Sequence, residues 1–95
     1  MCTSIVEVVA AHGAGKGRAG WFDVTSAVVS YDHPHHVLLE EAITLDFVNP
    51  SLGPGARVAV ELSLASAVDL IGALTRAVAA AEQEERERRR PGAPA

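Results

Sequence analysis

A chain of 95 residues, 48% of them apolar but only four aromatic, has room for one domain with an aliphatic core. Its net charge of −4 with neutral histidines, and the lack of a basic face, exclude a nucleic-acid-binding surface. One cysteine excludes an internal disulfide, no apolar run reaches transmembrane length and no signal-peptide pattern opens the chain, so a cytoplasmic protein without a membrane partner is expected.

Residues 3–10, "TSIVEVVA", are rich in β-branched side chains and predict a strand. "AHGAGKGRAG" follows, with four glycines among small and basic residues, and reads as a loop. "WFDVTSAVVSY" predicts a second strand that closes a hairpin with the first. "DHPHH" interrupts: Pro34 gives no ladder hydrogen bond and pushes His33 toward extended backbone. Residues 37–41 fit a short extended piece or a helical turn. Ile43, Leu45 and Phe47 alternate with Thr44 and Asp46, predicting a third strand over 42–48.

"NPSLGPGA" is a turn, and "RVAVELSL" a fourth strand with Val58, Val60, Leu62 and Leu64 on one face. From about residue 64 the period becomes helical, through Leu64, Val68, Ile71, Leu74, Val78 and Ala81. Ser63 or Ser66 is the candidate cap. Glu82–Arg86, Glu84–Arg88 and Glu85–Arg89 are favourable i,i+4 pairs, and Pro91 with Gly92 ends the helix.

The expectation is an α+β domain over 1–90: a four-stranded, mostly antiparallel sheet in the order β-β-β-β-α, one long C-terminal amphipathic helix, and a disordered tail at 91–95. The helix is expected to cover one sheet face. The remaining apolar positions, and the small size of the chain, predict a homodimer.

Three of the four histidines fall within residues 33–36. Histidine, cysteine and aspartate are the usual ligands of transition metals. In an extended segment His33 and His35 project to one side; in a turn His33 and His36 converge. A metal needs further ligands, and the candidates are Cys2 and His12. They flank the first strand, roughly 25–30 Å apart at about 3.3 Å per residue, so one centre within one chain uses only one of them. The metal would be divalent: zinc, copper, nickel or iron.

The same patch also suits metal-free chemistry. Asp32 beside His33 or His35, with Tyr31 as hydroxyl donor, makes a proton-transfer set for a small-molecule ligand. Residues 15–20 match GxGxxG, but a strand follows where a dinucleotide site needs a helix. The glycines therefore serve the turn, and Lys16 with Arg18 remains as an anion-binding pair. Trp21 and Phe22 read as core or dimer interface.

"MCT", "GKG" with "GWF" close behind, "YDHP" with His36, "DFVN" and "GPGARVAVEL" together resemble a family of short proteins from high-GC bacteria with no assigned function. A single lysine amid abundant Ala, Val and Gly fits that source. The resemblance spans about residues 1–80 and implies a folded protein without assigning any role to a residue.

The leading expectation is thus a small dimeric metal-binding protein using His33, His35 or His36 with Cys2 or His12. The second is a metal-free acid–base enzyme or small-molecule binder using Asp32, His33, His35 and Tyr31. The third is an interaction module without chemistry.

Overall fold

A computed structural model describes residues 5–90. Four strands form one antiparallel meander: β1 (Ile5–Gly17), β2 (Gly20–Asp32), β3 (Ala42–Val48) and β4 (Arg57–Leu62), each hydrogen-bonded to the next. The helix α1 (Leu64–Arg89) follows. The predicted β-β-β-β-α order and antiparallel sheet are thus observed. Residues 5–64, which hold the sheet, and residues 65–90 form two compact units.

The predicted glycine loop is the main correction. β1 continues through "AHGAGKG", and only Arg18 and Ala19 turn. A bulge at Ala10–Gly13 shifts the register, so that Ala10 faces Ser26 and Gly13 faces Val24. An extra residue on one strand bends it and increases its twist. Past the bulge the tip of the hairpin folds back, and β1 touches β4. A Cβ on Gly15 would lie 3.1 Å from Val24 Cγ2 and 3.2 Å from Val58 Cγ2; one on Gly17 would lie 3.0 Å from the Phe22 ring. These glycines sit in a strand because another part of the chain approaches their backbone.

The predicted turn at 49–56 is built around Asn49, which is buried. Its Nδ2 donates to the Asp23 carbonyl at 2.9 Å, and its Oδ1 accepts from the Ser51 N–H at 3.1 Å. A short 3-10 turn, Pro50–Leu52, begins there, and Gly53, at φ +89°, supplies the left-handed backbone that ends it.

The pairing register sorts the side chains. Ser30, Thr44 and Glu61 lie in one row across β2, β3 and β4, and Val28, Asp46 and Ala59 in the next. Alternation puts the apolar set, Ile43, Leu45 and Phe47 with Val58, Val60 and Leu62, on the opposite face.

The helix carries Arg86, Arg88 and Arg89 in its last turn, where they suit the negative end of its dipole. Arg88 pairs with Glu84 and Glu85, and Arg89 with Glu85. Arg86 departs from the expected pairing with Glu82 and donates instead to Gln83 Oε1. By length and composition alone this helix is long and apolar enough to cross a membrane. Asp69 and Arg76 interrupt its apolar run.

Candidate functional site

The third strand cannot follow the second directly. Pro34 ends ladder pairing after Asp32, and residues 33–41 form an irregular strap, neither extended nor helical. The strap lies beside the polar sheet face, and a cleft of about 600 Å3 opens between them. Asp32, His33, His35 and His36 line it from the strap side. Ser30, Thr44, Asp46, Arg57 and Glu61 line it from the strands.

Glu61 fastens the strap. Its carboxylate accepts the backbone N–H of His35 at 2.7 Å, His36 at 2.9 Å and Val37 at 3.1 Å. Three donors converging on one anion form a backbone nest. The His35 N–H bond, followed by those from Val37 and His36, holds the Glu61 carboxyl below its ordinary pKa against an opposing desolvation.

His33 is oriented from the far end of the strap. Its Nδ1 lies 3.0 Å from the Glu40 carbonyl oxygen and 3.4 Å from Glu41 Oε1. A carbonyl only accepts, so Nδ1 carries a proton; in the neutral ring Nε2 is the basic nitrogen, and it has no hydrogen-bond partner among the described residues. The Glu40 carbonyl, then the charges of Glu41 and Asp32, raise the His33 pKa above its ordinary value, with desolvation opposing. Asp32 stands at the junction of β2 and the strap. Its Oδ1 accepts the backbone N–H of His33 at 2.7 Å, fixing the first residue of the strap.

At the other end of the cleft Arg57 is held by Asp46, with Nε and Nη2 at 3.0 and 2.9 Å from Oδ1. Between the two ends the hydroxyls of Ser30 and Thr44 are hydrogen-bonded to each other.

The structure therefore brings together Asp32, His33, His35 and His36. It separates the others. Tyr31 alternates to the opposite face, opposite Ile43, and does not line the cleft. His12 sits in the β1 bulge, also outside the lining. Lys16 and Arg18 belong to the hairpin tip, where Lys16 faces Trp21. Cys2 lies outside the described residues. Among the described residues no three His, Cys, Asp or Glu side chains gather where they could hold a metal ion.

Glu61, Glu40, Glu41, Asp46 and Arg57 were missed as site residues. One signal points to three of them: Asp46, with Thr44, on one predicted strand and Arg57 and Glu61 on the next make a polar face on adjacent strands.

A polar cleft on an antiparallel meander, roofed by a histidine strap, defines the class: a small α+β protein with a solvent-open polar site. The chain belongs to DUF6295, a family of unknown function, which it matches over residues 1–87. No curated protein and no solved structure matches it.

Proposed function

We propose that this protein binds a small polar molecule in the cleft beneath the strap, and that His33 exchanges a proton with it. The observation that carries this reading is the His33 imidazole, fixed at Nδ1 by the Glu40 carbonyl with Nε2 left free. A base held by an orienting acceptor beside a cleft is the arrangement that proton transfer requires. The lining includes three carboxylates, Asp32, Asp46 and Glu61, against one guanidinium, Arg57. A neutral hydroxylated molecule or an amine suits that balance better than an anion does.

The test is a thermal-shift screen with polyols and small amines, run on the wild type and on His33→Asn and Thr44→Val variants. At least one compound class is expected to raise the wild-type Tm, and to do so less in Thr44→Val. A protein that responds to no member of either class, with His33 titrating at its ordinary value, would remove this reading.

Metal binding is the second reading. It is favoured by one observation: Asp32, His33, His35 and His36 line the same cleft. Its remaining ligands would come from Cys2 or from a second copy. Elemental analysis of untagged protein decides: a stoichiometric metal, lost in the His33→Ala, His36→Ala double variant, would establish it. A homodimer is part of either reading. β1 is an edge strand with Ile5, Val6 and Val8 more than half exposed, a surface that a second copy would cover. Sedimentation equilibrium giving a monomer mass would withdraw that part.

A further inference from the structure

The folded-back hairpin tip creates a second hollow, of about 330 Å3, away from the histidine cleft. Gly15, Val24, Phe47 and Val58 give it an apolar wall, and Lys16 is its one charged lining residue. Trp21, the cross-strand partner of Lys16, lines it too and is 72% exposed. Among the described residues the Lys16 ammonium has no hydrogen-bond or ion-pair partner. An apolar wall, an open indole and one unpaired cation are the complement of an amphipathic anion.

We propose that this hollow binds an apolar carboxylate, a small aliphatic or aryl acid. The hydrocarbon lies against Val24, Phe47 and Val58, the carboxylate meets Lys16, and the indole of Trp21 covers one side. The glycines explain why such a space exists. A side chain at Gly15 would reach Val24 and Val58 and fill the wall. The same geometry argues against a nucleotide. The glycines belong to a hairpin, with no helix N-terminus behind them to receive a pyrophosphate. The size, near the lower end of ligand pockets, favours a short ligand. The inference stands apart from the reading of the histidine cleft.

Trp21 is the only tryptophan, so its emission reports on the hollow directly. The probe is octanoate below its micelle concentration, with octanol and octylammonium as matched neutral and cationic chains. Octanoate is expected to shift the emission saturably, and octanol to bind roughly tenfold more weakly, the scale of one charge-assisted contact. Lys16→Gln should bring octanoate down to the octanol level, Lys16→Arg should retain binding, and Arg18→Gln should leave it unchanged. The proposal is overturned if octanol binds as tightly as octanoate, or if Lys16→Gln has no effect. It is also overturned if Arg18→Gln loses as much as Lys16→Gln, which would indicate diffuse surface charge. Emission that shifts with protein concentration alone would show a second copy filling the hollow, and would overturn it equally.

Discussion

His33 and Glu61 hold the strap by opposite electrostatic means. His33 gains from carrying a proton, because a carbonyl and two carboxylates face it; Glu61 gains from losing one, because three N–H groups do. Each yields a residue-level prediction. In a nitrogen-detected NMR titration His33 should titrate above its ordinary value, and Glu41→Gln should move it back down by removing a nearby charge. Glu61→Gln leaves one acceptor oxygen, and its amide NH2 points donors at donors. Amide hydrogen exchange at His35, His36 and Val37 should quicken in that variant, while the β3 amides stay protected. Equal protection at all three in Glu61→Gln would mean that other contacts hold the strap. Asn49 makes a further case, since both ends of its buried amide are bonded. Asn49→Ala should cost about 1–3 kcal/mol in urea unfolding, because the Asp23 carbonyl and Ser51 N–H lose their partner.

At the scale of elements, legibility followed the range of the cause. Strands 42–48 and 57–62 were readable because β-branched alternation between turn residues is a local signal. The helix was readable for the same reason. The glycine stretch was not, because glycine weakens a strand and its use here depends on Val58, more than forty residues away. The site divides in the same way. Asp32 and the three histidines stand together in sequence, but Glu61 reaches them only through the pairing of β2, β3 and β4. Gly15→Val tests the glycine argument. Its side chain would press on Val24 and Val58, and overpacking of this kind costs about 1–3 kcal/mol; the substitution at Gly13, where a Cβ meets nothing within 4 Å, should cost less. The helix carries a separate choice. Burying Asp69 or Arg76 at a bilayer centre costs about 2.5–3.5 kcal/mol, so the expected outcome is that the helix does not insert. Flotation of the protein with neutral lipid vesicles would contradict that outcome.

For the whole molecule, the two strap anchors define a pH window, and the sign of each follows from linkage. Glu61 has a lowered pKa in the folded state, so its contribution is present above the unfolded value near 4.3 and is lost as pH falls through the folded value. His33 has a raised pKa, so its contribution is present below about 6.5 and is lost as pH rises through the folded value. Both contributions are complete only between about pH 4.3 and 6.5, and beyond that range each fades as pH passes through its own folded value. Urea unfolding across a pH series should show the stability difference between wild type and His33→Asn shrinking as pH rises from 6 toward 8. The difference between wild type and Glu61→Gln should instead shrink as pH drops below about 4.3. Ligand affinity in the cleft should fall as pH drops below about 4.3 if the strap forms its wall, because the histidines reach the ligand only from a strap that Glu61 holds. Affinity that stays flat across pH 4–8 while stability changes would separate the strap from binding, and would leave Ser30, Thr44, Asp46 and Arg57 on the sheet as the binding surface.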